Sequence, residues 1–179
     1  HSFNEIRYIP ETYAYNYYNL GETQRVGAEF SAKQYLFSKI LTLQESINFN
    51  QSNVIKGGEN AGGSSASELN KQNQSIPYVP HLKASVLVNI AALKRGNHAL
   101  NIFANHSYTS QMRDSAYEIM NEGGYTLGDV GLSYKYKSLG LSAGVRNVYD
   151  TFYVAYQANG RYYLAGEGRN YYAEVKMGF

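Results

Sequence analysis

Arg169-Asn170-Tyr171-Tyr172-Ala173-Glu174-Val175-Lys176-Met177-Gly178-Phe179 alternates without a break. Tyr171, Ala173, Val175, Met177 and Phe179 fall on one face, and Asn170, Tyr172, Glu174, Lys176 and Gly178 on the other. Side chains in a strand point alternately to its two sides, so this period reads as a strand with one apolar and one wet face. Its length suits a bilayer crossing at a tilt of roughly 45°. A soluble sheet explains one such strand equally well, and the rest of the chain decides the matter by repeating it.

Leu82, Ala84, Val86, Val88 and Ile90 alternate with Lys83, Ser85, Leu87 and Asn89, and Leu100, Ile102 and Ala104 with Asn101, Phe103 and Asn105. Val130, Leu132, Tyr134 and Tyr136 oppose Asp129, Gly131, Ser133 and Lys135; Leu139, Leu141, Ala143 and Val145 oppose Gly140, Ser142, Gly144 and Arg146. Upstream, the apolar positions 26, 28, 30 and 32 and then 41, 43, 47 and 49 continue the pattern, with Glu45 interrupting it. The pattern predicts strands at residues 3–8 (partial), 17–33, 40–50, 83–92, 99–108, 125–136, 139–148 and 169–179. No segment favours a helix. Short connections (residues 33–40, 93–97 and 137–138) alternate with long ones (50–80, 108–124 and 149–168), as in outer-membrane barrels with tight periplasmic turns and long outer loops. The longest loop is rich in Gly and Ser, a composition that buries too little to fold alone.

Composition bounds the same answer. No run of about 18 apolar residues occurs, which excludes a helical membrane span, whereas barrel strands escape such a scan because only alternate residues are apolar. Tyrosine is abundant, 19 residues against 7 Phe and no Trp, and its amphipathic ring suits the headgroup level. A Tyr-rich soluble sheet protein fits the composition about as well. There is no cysteine, so neither a disulfide framework nor a thiolate metal site is available. A net charge of +2 with scattered Lys and Arg gives no nucleic-acid footprint. No leader is visible at His1, and the chain is expected to be a piece of something longer.

Four blocks carry a family resemblance. Asn19-Leu20-Gly21-Glu22-Thr23 followed by Gly27-Ala28-Glu29 resembles a strand of TonB-dependent outer-membrane receptors, and Ile76-Pro77-Tyr78-Val79-Pro80-His81 resembles their proline pair leading into the next strand. Val145-Arg146-Asn147-Val148-Tyr149-Asp150-Thr151-Phe152-Tyr153 resembles the family's pattern at the last extracellular loop. Gly166-Glu167-Gly168-Arg169-Asn170-Tyr171-Tyr172, running on to Phe179, resembles its closing strand.

The resemblance implies an all-β fold: an antiparallel transmembrane β-barrel segment of about eight strands, the last of a 22-stranded barrel. Residues 1–179 would be its carboxy-terminal portion, with neither plug domain nor TonB box in this chain. It implies a bacterial outer-membrane location and TonB-driven import of a scarce nutrient, a ferric siderophore or similar metal chelate. The implied partners are outer-membrane lipid, TonB through the amino-terminal part, the barrel-assembly machinery and the chelate. No cofactor and no catalytic role are implied.

Loop residues with arginine forks or tyrosine hydroxyls suit the oxygens of an anionic chelate. The candidates are Arg113, Tyr117, Tyr153, Tyr156, Arg161, Tyr162 and Tyr163, each of which is otherwise ordinary loop surface or aromatic girdle. Tyr171, Val175, Met177 and Phe179 resemble the carboxy-terminal signal read by the assembly machinery. Arg146, Glu174, Lys135 and Asp129 are expected on the lumenal face as wall charges. The alternatives are a small porin-like barrel and an outer-membrane barrel enzyme. Against the enzyme, Asn105, His106 and Ser107 are strand neighbours that point to opposite faces and cannot converge as a triad.

Overall fold

The computed structural model describes residues 6–10, 15–19, 22–56, 75–114, 119–158 and 162–178. All regular structure among them is antiparallel β. The main sheet contains β3 (Glu22–Leu36), β4 (Leu41–Lys56), β5 (Leu82–Arg95), β6 (His98–Thr109), β9 (Tyr125–Tyr136), β10 (Leu139–Arg146) and β13 (Asn170–Met177). Its order runs β13-β10-β9-β6-β5-β4-β3, so strands that follow one another along the chain lie side by side. Three two-stranded pieces accompany it: β1 (Ile6–Pro10) with β2 (Tyr15–Asn19), β7 (Met112–Arg113) with β8 (Ile119–Met120), and β11 (Val154–Ala158) with β12 (Tyr162–Ala165).

Seven of the eight expected strands therefore form the sheet, and the first does not. Residues 6–10 pair with Tyr15–Asn19, whereas the alternation predicts a single strand over residues 17–33. The Tyr-rich run shares the period of its neighbour, and alternation alone does not mark where one pairing ends and another begins. The β7–β8 and β11–β12 hairpins lie in stretches too short or too polar to show a period. β4 runs to Lys56, six residues past its expected end, and β5 extends to Arg95 across a bulge between Ala91 and Leu93.

Register shows what the alternation is for. Leu43, Val88, Ala104, Val130, Val145 and Tyr171 stand side by side across six strands, and the next row holds Leu41, Ile90, Ile102, Leu132, Ala143 and Ala173. These rows share a face with Val86 and Val175, which are 40% and 68% exposed, so the apolar side is turned outward rather than packed on a second layer. In water such a face would be costly, whereas in hydrocarbon it is the solvated state. The opposite face carries Lys33, Gln44, Leu87, Asn105 and Asp129 in one row, and Ser46, Ser85 and Ser107 in another, with the Ser46 and Ser85 hydroxyls 2.9 Å apart. Asp129, Lys135, Arg146 and Glu174 all lie on this polar side, as expected for the lumen.

The outer face is bounded at both ends. Near the turns, His98 stacks on Tyr136 at 4.6 Å and its Nδ1 lies 2.6 Å from the Tyr134 hydroxyl. Toward the loops, His106 Nδ1 lies 3.0 Å from the hydroxyl of Tyr149, whose ring covers Gly128. Glu45, the break in the stripe, sits in this upper row with Val86 between it and His106, and takes a hydrogen bond from Gln34 Nε2 at 3.4 Å. The distance from residue 98 to 106 along a strand is roughly 27 Å, or about 20 Å along the membrane normal at the usual tilt. That matches an apolar band with an aromatic girdle on each side.

The turn end is tight. Phe37, Ser38 and Lys39 all adopt left-handed φ, from 49° to 70°, and Gly96 at 56° begins the two-residue turn with Asn97. The fully buried side chains among the described residues, Thr23, Ser52, Val54, Ile76, Asp114 and Met120, belong to the opposite, loop end. The wall itself is one layer thick, and close packing is confined to where the loops gather.

Candidate ligand-binding face at the loop end

Three loops meet there through a few side chains. Tyr78 is held in a left-handed conformation, φ 61°, which a bulky residue adopts only when its surroundings fix it. Its N–H donates to the Arg113 carbonyl at 2.8 Å and its hydroxyl to the Gln157 carbonyl at 2.6 Å, while its ring stacks on Tyr156 at 5.5 Å. One residue thus ties the loop after β4, the β7–β8 hairpin and the β11–β12 hairpin. Asn121 adds a second tie: its Oδ1 accepts from Val154 N at 2.8 Å and its Nδ2 donates to Val154 O at 2.9 Å, as a neighbouring strand would.

The motif from Val145 to Tyr153 is a knot of hydrogen bonds around Asn147. Asn147 is 4% exposed and has φ 48°. Its Oδ1 accepts from Thr151 N at 3.0 Å, and its Nδ2 donates to the carbonyls of Thr151 and Glu167 at 2.9 and 3.0 Å. Its own N–H donates to Asp129 Oδ1 at 3.0 Å, joining the loop to the wall. Asp150 Oδ1 accepts from Arg169 N at 2.9 Å, and Arg169 Nε donates to the Val148 carbonyl at 3.1 Å, fixing the start of β13. The polar letters of the motif are structural, which explains why the strand expected to reach residue 148 stops at Arg146.

The candidate residues do not form one cluster. Tyr156 is in the Tyr78 stack. Tyr153 stacks on Tyr125 at 4.6 Å and lies over Gly166, where an added Cβ would run into the ring. Tyr162 and Tyr163 on β12 are 74% and 66% exposed, the most open aromatic pair of the loops described. Arg113, half-buried on β7, is engaged in the loop structure and offers its carbonyl to Tyr78. Tyr117 and Arg161 lie outside the described residues, as does Phe179 of the expected assembly signal. Tyr171, Val175 and Met177 of that signal line the outer face of β13. Sequence reading missed Tyr78, Asn121 and Asn147 as the organising residues. Asn121 was visible only as part of a turn-like Asn-Glu-Gly-Gly run.

Below the loops the inner wall holds an open cleft of about 560 Å³ lined by Asn48, Asn50, Tyr78, Lys83, Ser107 and Thr109. Amide and hydroxyl donors around one ammonium form a surface for oxygen-rich anionic solutes. No group of three or more His, Asp or Glu among the described residues is arranged to hold a metal ion. His106 and Ser107 point to opposite faces of β6, as their spacing required.

Burial is the main cause that raises the Tyr153 phenol above its ordinary value, with the charges of Tyr125 and then Glu167 adding to it. The neutral hydroxyl is therefore favoured in the fold, and the stability it contributes is complete below about pH 10 and is lost as pH rises through the folded-state value. Phenolate absorbance of the full-length protein is expected to show a late-titrating tyrosine that disappears in Tyr153→Phe. An unchanged titration in that variant would contradict the assignment.

An antiparallel sheet with an outward apolar band, two aromatic girdles, a polar inner face, short turns at one end and gathered loops at the other defines the wall of a membrane β-barrel. Residues 3–148 match the family model described as TonB dependent receptor-like, beta-barrel. The chain belongs to this family of outer-membrane receptors. Over 75 residues it is 39% identical to the vitamin B12 transporter BtuB of Vibrio vulnificus (strain YJ016), a match covering 41% of this chain and 12% of the transporter. Its fold is similar to that of the siderophore receptor PiuA from Acinetobacter baumannii (TM-score 0.73, 20% identity, 97% of this chain and 24% of the receptor). It is also similar to the ferric yersiniabactin uptake receptor FyuA from Yersinia pestis (TM-score 0.71, 20% identity, 92% and 25%). The chain spans about a quarter of the length of these solved receptors.

Proposed function

We propose that this chain is the carboxy-terminal part of the barrel of a TonB-dependent importer, and that its cargo is a small metal chelate of the ferric siderophore class. The observation that carries the reading is the gathered loop end. Tyr78 and Asn121 hold three loops in one arrangement above a polar, lysine-bearing wall cleft, and Tyr162 and Tyr163 stand open on the β11–β12 hairpin. Ordered loops present donors without the entropy that mobile ones would lose on binding. Arg113 and Tyr156 are joined to Tyr78 through a backbone hydrogen bond and a ring stack, and Tyr117 and Arg161 belong to the same loops by sequence. Cobalamin is the second reading, favoured by the identity to a vitamin B12 transporter. TonB and the barrel-assembly machinery are partners of the whole receptor, with Tyr171, Val175, Met177 and Phe179 as the assembly signal.

In cells expressing the full-length gene, uptake of radiolabelled ferric siderophores and of cobalamin is expected to be saturable for one of them and to vanish when TonB is deleted. Arg113→Ala is expected to weaken binding of an anionic chelate by about 1–3 kcal/mol. Uptake that persists without TonB overturns the importer reading. Normal binding by Arg113→Ala overturns only the choice of that residue.

A further inference from the structure

Arg95 faces the lipid because β5 carries an extra residue. From Leu82 to Ile90 the outward positions of this strand are even, a parity that would turn Lys94 outward and Arg95 into the lumen. The bulge between Ala91 and Leu93 reverses it, so that Leu93 pairs with Leu100 and Arg95 with His98, both on the outer face. Bulges re-aim side chains in this way, and the one re-aimed at the end of β5 is a guanidinium.

Arg95, His98, Tyr136, Leu139 and Met177 form the outward row next to the turns, and Leu93, Leu100, Tyr134, Leu141 and Val175 form the row above it. Neither row contains a carboxylate. Lys137, at φ 52° in the turn after β9, donates its N–H to the Asn97 carbonyl at 3.3 Å and carries its Nζ over the Tyr136 ring at 5.5 Å. Arg95 and Lys137 thus flank the stacked pair of His98 and Tyr136, two strand spacings or about 10 Å apart. Both are exposed, and no carboxylate among the described residues pairs with either. The Tyr134 hydroxyl lies 2.6 Å from His98 Nδ1. When it donates there, the neutral imidazole holds its proton on Nε2, a further donor between the two cations.

This surface is outside the barrel. β5, β6, β9 and β10 have strand neighbours on both sides, so further strands join only at β3 and β13, and whatever fills the lumen lies behind the wall. The surface is also continuous with the apolar band, where Leu93 and Leu141 are exposed, so its occupant reaches into hydrocarbon. Two cations and an imidazole with no acid beside them select a negative headgroup, because a zwitterionic lipid brings an ammonium of its own. A guanidinium fork takes two phosphate oxygens, and a lysine adds a point charge from the other side.

We propose that Arg95, His98 and Lys137 bind the phosphate of an anionic glycerophospholipid in the leaflet at the turn side, with Leu93, Leu100 and Leu141 against its acyl chains. The site rests on the outer-membrane setting of the barrel and goes beyond the importer reading, since it involves no cargo. An ordinary girdle would hold Tyr134 and Tyr136 at the headgroup level without choosing among lipids.

The test is native mass spectrometry of the full-length receptor released from detergent micelles doped with dioleoylphosphatidylglycerol or dioleoylphosphatidylcholine. The wild type is expected to retain one phosphatidylglycerol about tenfold more tightly than phosphatidylcholine, and Arg95→Gln/Lys137→Gln to lower that preference by about fivefold or more as charge-assisted contacts are lost. Arg95→Lys/Lys137→Arg should keep most of it. Lys94→Gln/Lys135→Gln, which removes the same charge from the lumenal face of β5 and β9, should keep all of it. If the double Gln variant does not fold, Arg95→Gln alone must lower the preference. Equal retention of both lipids by the wild type, an unchanged preference in the outward Gln variants, or an equal loss in the lumenal control overturns the proposal. A wild-type dimer that is lost in Arg95→Gln/Lys137→Gln would give the surface to a second copy of the chain and overturn it as well.

Discussion

Replacing Asn147 with Ala is expected to destabilise the loop end by about 3–5 kcal/mol. The side chain of Asn147 satisfies Thr151 N, Thr151 O and Glu167 O from a position that is 4% exposed. Truncation leaves those backbone groups without their partner where water reaches poorly, and it also places an alanine at φ 48°, a conformation that asparagine tolerates better. The two contributions separate by experiment. Asn147→Gly removes the hydrogen bonds and relieves the backbone, so it should cost about 1 kcal/mol less than Asn147→Ala. Thermal unfolding of the full-length protein in detergent, read by the shift of the folded band on an unheated gel, measures both. An Asn147→Ala protein as stable as wild type would mean that the knot follows from strand geometry rather than creating it.

How far the sequence foretold this fold depends on where its information lay. Strands β5, β6, β9, β10 and β13 were legible to within a few residues because lipid and lumen impose opposite demands on alternate side chains, and that contrast is local. The tight turns were legible for the same reason, since they interrupt the alternation with Gly96-Asn97 and Lys137-Ser138. The loop end was not. Its order comes from single side chains reaching across long sequence separations, Tyr78 to Gln157 and Asn121 to Val154, and a tyrosine that ties loops has the same letter as one in a girdle. The candidates chosen for their functional groups were accordingly scattered, with Tyr153 and Tyr156 absorbed in stacks and Tyr162 and Tyr163 left open. The motif around Asn147 shows the reverse. Its residues stood out by resemblance, and the physical reason for each, a buried amide, an aspartate on a strand start and a small residue beneath a ring, became visible only with the neighbours in place.

Gly144→Val is expected to cost about 2–3 kcal/mol and to lower the fraction of receptor that reaches its folded barrel form. Gly144 sits in the lumenal row between Gly131 and Tyr172. An added Cβ would stand 2.6 Å from the Val130 carbonyl oxygen and 2.7 Å from the Tyr172 ring. A flexible ring could swing aside, but the carbonyl belongs to the neighbouring strand, so the ladder between β9 and β10 must itself shift. In lipid that is costly, because a backbone group displaced from its partner finds no water to replace it. Tyr172 would also leave the position in which it lies beneath the Arg146 guanidinium. Two variants divide the sources of the cost. Gly144→Ala keeps the carbonyl clash with the least added volume, and Gly144→Val in a Tyr172→Ala background removes the ring while leaving the carbonyl in place. If the backbone contact dominates, the double variant is no better folded than Gly144→Val, and Gly144→Ala already shows a lowered folded fraction. Full recovery in the double variant would assign the glycine to the ring instead, making it a seat for Tyr172 rather than a requirement of the sheet.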